Sequence, residues 1–358
     1  MRILFLIPYP TSEAPSQRFR FEQYFSIMKQ EGYVVRTQSF LNQRNWRLYY
    51  SAGRPIQKIL AMLKGFMKRI QALAISTSFD IVFIHRELAP IGPPVFEWVI
   101  ANVLRKKIIY DFDDAIWLTD REGESWLTKA LRWRSKVGCI CKWSYRVSCG
   151  NAYLAEYARN FNANVVINPT TIDTEDVHNP NLFNRVTDNS RISIGWTGSH
   201  STLKYLAGIE SILKELQGRH PHVSFLVIAD RRPPLNLVRF EYRPWQKATE
   251  AADLMKIDIG IMPLPDDEWS KGKCGFKALQ YMAMGIPCVV SPVGVNTTIV
   301  VHGETGFMAT THQEWVDCLE KLINDPSLRI RLGIKGRERV IKHYSVVSNT
   351  ANFLALFA

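Results

Sequence analysis

The sequence predicts a two-domain α/β protein, each domain a doubly wound parallel sheet, on three observations. Its 358 residues exceed the roughly 250–300 that a single core holds. Near-continuous apolar runs alternate with helical patterns in both halves, as in parallel sheets covered on both faces. A stretch rich in Asn, Asp, Pro and Thr separates the halves. With 46% hydrophobic and 22% charged residues, a disordered chain, a collagen-like fibre and a small disulfide scaffold are set aside.

The first domain is expected over 1–168. Its first strand is Arg2–Ile7, stopped by Pro8 and Pro10; the apolar run 3–7 is too short for a secretory signal. Periodicity predicts a helix over 19–30, a strand at 33–35, a long helix over 54–76, and buried strands at 80–85 and 107–110. The polar stretch 169–190 is expected to be the linker. The second domain, over 191–344, repeats the alternation with strands at 192–196, 223–229, 257–262 and 288–291. No apolar run reaches the roughly 18 residues of a bilayer span. The cysteines (Cys139, Cys141, Cys149, Cys274, Cys288, Cys318) show no zinc-site spacing, which points to free thiols in a reducing cytoplasm.

Charge is uneven. Residues 1–168 hold 24 Lys and Arg against 13 Asp and Glu, whereas 169–358 hold 21 against 20, so the first half carries +11 of the formal +12. A one-sided basic surface suits an anionic partner. Nucleic acid is set aside, since no recognised binding signature occurs. The helix over 54–76 is basic and amphipathic, and two readings stay open. It is either a crossover helix packed on the sheet with solvated lysines, or a patch docking on an anionic membrane through Lys58, Lys64, Lys68 and Arg69.

Two segments of the second half suggest chemistry. Gly195-Trp196-Thr197-Gly198-Ser199 closes a strand before a helix, a turn whose amides can approach a phosphate, with Lys204 close behind. It is equally readable as an ordinary tight turn, and it lacks a full dinucleotide fingerprint. In Asp266-Asp267-Glu268-Trp269-Ser270-Lys271-Gly272-Lys273 and the helix after it, Lys273, Lys277 and Gln280 fall at separations of four and three and are expected on one face. Lysines there would neutralise a diphosphate and Gln280 would bind ribose hydroxyls.

In the first half, Asp111, Asp113 and Asp114 close a buried strand. Unless a cation or basic neighbour intervenes, at least one of their pKa values should rise. Asp113 or Asp114 could alternatively cap the next helix. His85-Arg86-Glu87 ends another strand of the same sheet, and Arg18 and Arg20 follow the first; both arginines could clamp a phosphate or simply be solvated.

These segments, together with 289–294, 298–307 and 326–345, resemble glycosyltransferase family 4. The resemblance implies a GT-B architecture, two Rossmann-like domains facing across a cleft. It also implies transfer from a nucleotide diphosphate sugar with retention of configuration, without metal or cofactor. Gly195, Thr197, Gly198, Ser199, Lys204, Glu268, Lys273, Lys277 and Gln280 would bind the donor. Asp113, Asp114 and Lys277 would act in catalysis, and Arg18, Arg20, His85 and Arg86 would hold phosphate or acceptor. The acceptor would be a glycan or lipid-linked molecule in polysaccharide synthesis, and the enzyme cytoplasmic, peripheral at the inner membrane face. Residues 345–358 would return to the first domain. The family's paired glutamates, eight positions apart, fall on Gly272 and Gln280 here; Asp266, Asp267 or Glu268 would substitute for the first. Alternatives are a sugar-nucleotide epimerase or hydrolase, and an inactive donor-binding scaffold.

Overall fold

The computed structural model describes residues 1–119, 123–184 and 191–358. The chain forms two compact units. One comprises Met1–Thr170, Gly272–Cys274 and Thr350–Ala358; the other comprises Thr171–Lys271 and Gly275–Asn349.

The first unit is built on a parallel sheet of β1 (Arg2–Ile7), β2 (Val34–Ser39), β3 (Ile81–His85), β4 (Lys107–Phe112), β5 (Arg146–Cys149) and β6 (Val165–Ile167), in the order β2-β1-β3-β4-β5-β6. The central strands β1, β3 and β4 are buried along nearly their whole length, as apolar runs covered on both faces should be. Its helices are α1 (Phe25–Gln30), α2 (Gln43–Tyr50), α3 (Pro55–Ser76), α4 (Trp126–Arg132), α5 (Lys136–Trp143) and α6 (Ala152–Arg159). Parallel crossovers are right-handed. The chain steps one way from β1 to β2 and the other way from β2 onward, so α1 lies on one face of the sheet and α2–α6 on the other.

The expected helix over 19–30 is broken into Pro15–Arg18, a 3-10 turn at Glu22–Tyr24, and α1. Phe19, Arg20 and Phe21 are all buried, and a regular helix turning 100° per residue cannot bury three successive side chains on one face. Helix α3 has the expected bounds but an inverted face. Ala61, Gly65, Arg69, Ala72 and Ser76 are buried, whereas Ile56, Ile59, Leu60, Leu63, Met67 and Ile70 are 52–73% exposed.

The second unit has a parallel sheet of β7 (Ile192–Gly198), β8 (Val223–Ala229), β9 (Phe240–Pro244), β10 (Ile259–Met262), β11 (Cys288–Val290) and β12 (Phe307–Met308), in the order β12-β11-β10-β7-β8-β9. Its helices are α7 (Glu210–Arg219), α8 (Phe276–Ala283), α9 (His312–Asn324) and α10 (Pro326–His343). Trp196, Phe225, Val289 and Trp315 lie in one core cluster. A capping box between Thr311 and Glu314 starts α9, and Asp325 followed by Pro326 starts α10.

The stretch expected as a linker is folded wherever it is described. Thr171, Thr174 and His178 are buried, and Ile172 bridges Ser345. The Arg337 guanidinium donates to the carbonyls of His178 at 3.0 Å and Thr174 at 3.1 Å. Residues 185–190 lie outside the described residues. The last helix, α11 (Val346–Leu354), runs across the unit boundary at 349/350 rather than at 345. In the first unit, Phe353 stacks on Tyr24 at 4.2 Å. All six cysteines are free. Among the described residues no helix is long and apolar enough to cross a membrane.

Candidate active site

Ligands of doubly wound sheets bind beyond the carboxyl ends of the strands, and in each unit the charged and polar residues singled out above gather there.

In the second unit, β7 ends at Gly198, paired with Ala229 at the end of β8. The buried Trp196 ring lies beneath the turn, and a Cβ on Gly198 would collide with it. Lys277, in the first turn of α8, places Nζ 5.1 Å from the Trp196 ring centroid, a cation–π contact that fixes a half-buried ammonium beside the strand end. Tyr281, one turn further along α8, takes the Thr197 N–H on its hydroxyl at 3.0 Å. Strand end, turn and helix are thus tied together through Trp196 and Tyr281, neither of which sequence reasoning singled out.

Several expected donor contacts take other forms. Gly195 is glycine because Ile257 packs where its Cβ would be, and the Thr197 amide is spent on Tyr281. The His200 amide donates to Asp230 Oδ1 at 2.6 Å, and His200 Nδ1 meets Asp230 Oδ2 at 2.6 Å. A carboxylate therefore already sits where an anion was expected. Ser199 and Ser201 share a hydroxyl contact of 2.9 Å, and Lys204 lies over the Tyr205 ring at 5.5 Å. Glu268 is exposed and paired with Lys271 at 2.9 Å, while Asp267 caps the short turn Glu268–Lys271 through the Ser270 amide at 2.6 Å. Gln280 is only 2% exposed. Its Nε2 lies 3.1 Å from Glu250 Oε1 and 3.2 Å from His178 Nε2, so both amide hydrogens are directed inside the unit rather than at a ribose. Lys273 does not share the α8 face, because α8 starts at Phe276; it belongs to the first unit.

In the first unit, Asp111 at the end of β4 is fully buried. It is paired with Arg20, accepts the Ser148 hydroxyl at 2.6 Å and meets His85 Nδ1 at 2.8 Å. Arg20 also donates to the Asn168 carbonyl. Expected as a phosphate clamp, Arg20 is 1% exposed and consumed within the fold. Arg18 is half-buried, its guanidinium 4.8 Å from the Phe19 ring centroid. His85 Nε2 has no hydrogen-bond partner and lies 3.9 Å from Asp113 Oδ1.

Arg86 adopts φ +61°, a left-handed conformation costly for a side chain with a Cβ. From there Nε donates to Asp113 at 2.9 Å and Nη2 to Asp114 at 2.6 Å, and Lys273 Nζ lies 3.4 Å from Asp114. The expectation that one carboxyl pKa should rise is thereby met by its exception. Burial alone would raise Asp111 and Asp114. Arg20 and His85 hold Asp111 well below the usual carboxylate range, and Lys273 with Arg86 holds Asp114 down. Among the described residues neither Asp113 nor Asp114 caps a helix; Ser125 caps α4. Chemically, the first unit offers two ion-paired, partly accessible carboxylates beside a buried imidazole; the second offers a fixed ammonium at a glycine turn.

Fold and strand-end placement together define a class: an α/β protein of two units, each built on a parallel six-stranded sheet with charged side chains at its strand ends. Residues 192–325, within the second unit, match the family model described as glycosyl transferases group 1. Relatives named D-inositol 3-phosphate glycosyltransferase align over part of the chain. The protein from Pseudarthrobacter chlorophenolicus is 29% identical over 34% of this chain, and that from Corynebacterium glutamicum is 29% identical over 40%. The aligned stretches span only 28% and 30% of those relatives' own lengths. Among solved structures, sucrose-phosphate synthase from Thermosynechococcus elongatus has a TM-score of 0.69 at 14% identity, covering 100% of this chain and 98% of its own. Anabaena HepE in complex with UDP and glucose has 0.65 at 13%, covering 99% of each chain. An α,α-trehalose-phosphate synthase from Burkholderia vietnamiensis has 0.67 at 11%, again with 99% of each. Residues 192–325 are thus similar to glycosyl transferases group 1, and the whole chain shares its fold with these solved structures.

Proposed function

We propose that the protein is a retaining glycosyltransferase, transferring a sugar from a nucleotide diphosphate sugar to a glycan or lipid-linked acceptor in cell-surface polysaccharide synthesis. The observation that carries this reading is the family match over the stretch that ties Lys277 to Trp196 and Tyr281 at the end of β7. HepE binds UDP and glucose, which makes UDP-sugars the first donors to test.

In this reading no resident metal or cofactor is required. Lys277 and Lys204 neutralise the diphosphate, and Lys277 stabilises the charge that grows as the sugar leaves. The acceptor hydroxyl attacks on the face the diphosphate vacates, and a leaving phosphate oxygen takes its proton. Asp113, ion-paired with Arg86, and Asp114, kept anionic by Lys273 and Arg86, orient the sugar and balance its developing positive charge. The imidazole of His85, oriented by Asp111, supports Asp113.

The test is nucleotide release from a panel of UDP-, GDP- and ADP-sugars with and without glycan and lipid-linked acceptors. Acceptor-dependent release is expected, falling on the order of 10²–10³-fold in Lys277→Ala, the range seen when one donor to developing charge is removed. Unchanged turnover in Lys277→Ala would overturn the role of this lysine. Equal release of free sugar without acceptor would favour a hydrolase, and donor binding without turnover a scaffold.

A further inference from the structure

Helix α3 carries six large apolar side chains outward, while Met62 and Phe66 on its flank pack against the Phe40 cluster. At 100° per residue, Ile56, Ile59, Leu60, Leu63, Met67 and Ile70 form one stripe, opposite the buried Ala61, Gly65, Ala72 and Ser76. The apolar residues are 52–73% exposed, a contiguous row rather than the scattered apolar residues of an ordinary surface. Its neighbours extend the surface. Helix α2 packs beside α3 and presents Tyr50 at 52% exposure. On the same sheet face, α4 presents Trp126 at 78%, and Trp133, the residue that ends it, is 48% exposed. The Leu131 carbonyl of α4 accepts the Gly92 amide at 2.7 Å, holding α4 to the loop after β3.

The charge on these helices has one sign. Across α2, α3 and α4 there are eight basic residues and no Asp or Glu. Of the eight, only Arg69 is buried, donating to the carbonyls of Leu88 at 2.8 Å, Gln38 at 3.0 Å and Ile7 at 2.7 Å. Of the other seven, Lys64 lies beside the stripe on α3, Arg44 and Arg47 lie on the adjacent α2, and Lys129 and Arg132 lie on α4. Lys58 and Lys68 donate to the carbonyls of Ser51 at 2.7 Å and Ser39 at 3.2 Å.

We propose that the outer face of α2, α3 and α4 docks on an anionic lipid bilayer, the α3 stripe entering the acyl boundary and the lysines and arginines meeting the headgroups. An apolar row with cations beside it, and exposed Tyr and Trp on helices of the same sheet face, matches the chemistry of that interface. A second copy of the same face fits poorly, because a two-fold contact would set cations against cations across the apolar row. The proposal does not depend on the transfer reaction.

The test is co-sedimentation of the full chain with phosphatidylcholine vesicles, with and without phosphatidylglycerol. Binding is expected only with phosphatidylglycerol and weakens as salt is raised. Leu63→Gln/Met67→Gln should lower affinity about tenfold or more by removing side chains that enter the bilayer. Lys64→Glu/Lys129→Glu should lower it about fivefold or more for each site. Both pairs should keep the melting temperature of the wild type, since all four side chains are already exposed. Absence of binding, equal binding to both vesicle types, or binding indifferent to both variant pairs overturns the proposal. So does a dimer in sedimentation velocity that Leu63→Gln/Met67→Gln converts to monomer, which would assign the face to a second copy.

Discussion

Gln280→Glu restores the residue that the family resemblance leads one to expect, and the structure says it should destabilise the protein. The Gln280 amide nitrogen lies 3.1 Å from Glu250 Oε1 and 3.2 Å from His178 Nε2, with Glu250 at 6% exposure and His178 at 0%. The substitution replaces a donor by an acceptor and sets two carboxylates against each other inside the unit. Breaking a buried polar pairing so that a charge is left uncompensated costs about 3–5 kcal/mol. Alternatively the pair shares one proton, so one carboxyl pKa is raised in the folded state. A raised folded pKa means the native state holds more protons than the unfolded chain, so stability falls as pH rises above the ordinary Glu value of about 4.3. A unit of this size shifts by about 2–4 °C per kcal/mol, which gives a loss of about 6–20 °C in melting temperature near neutral pH. The gap from the wild type should narrow toward pH 5. Thermal melts of the wild type, Gln280→Glu, Glu250→Gln and the double variant across that range are the assay. The double variant should recover most of the loss, since it again places one amide against one carboxylate. A Gln280→Glu melt within about 1 °C of the wild type at neutral pH, or no recovery in the double variant, would refute the reasoning.

Two further outcomes follow from the strand-end networks. Asp111→Asn leaves the buried Arg20 without its counter-charge and should cost about 3–5 kcal/mol, read as a lower urea midpoint. Because Arg20 and His85 depress the Asp111 pKa in the folded state, the stability it supplies is present above about pH 4 and lost as pH falls below it. The wild type should therefore lose stability in acid more steeply than the variant. Asp230→Ala frees the His200 amide from its carboxylate and should tighten nucleoside diphosphate binding several-fold by calorimetry; weaker or unchanged binding would argue that no phosphate reaches that turn.

Strands carrying long apolar runs were legible in the sequence, as were the bounds of α3. The unanticipated strands are those with weak signals. β5 is Arg146–Cys149, β6 and β12 have three and two residues, and β9 is a half-exposed edge. Such strands are specified by pairing with neighbours, which periodicity cannot report. The same limit governs the sites. Charged and polar residues that the structure places at the strand ends were legible by type: Asp113, Asp114, His85, Arg86, Lys277. Partner choice was not. Arg20 and Arg18 look alike in sequence, yet one lies in the core against Asp111 and the other over Phe19. Lys273 and Lys277 have helical spacing, but the helix begins between them. Asp230 follows a strand as plainly as Asp113 does, and attention to carboxylates at every strand end would have found it.

Helix α3 shows what further signal a sequence can hold. Hydrophobic periodicity locates its apolar stripe but is silent on whether that stripe faces the sheet or the solvent, since both satisfy the same period. Residue size on the other side decides the question. Ala61, Gly65, Ala72 and Ser76 repeat on the opposite face, and a Cβ on Gly65 would collide with the Phe40 ring. A helix with small residues on one face can approach its neighbour closely only through that face. The large residues directly opposite must then point away, whatever their hydrophobicity, and only those on the flank, Met62 and Phe66, reach the Phe40 cluster. Arg69 lies within the small stripe and would be an anomaly there, but three backbone carbonyls take its guanidinium hydrogens. Burial pulls its pKa down to about 9, still well above neutrality, so the side chain anchors α3 as a cation. An apolar stripe opposite a small-residue stripe that contains a buried arginine is therefore a sequence-level sign that the apolar stripe faces outward.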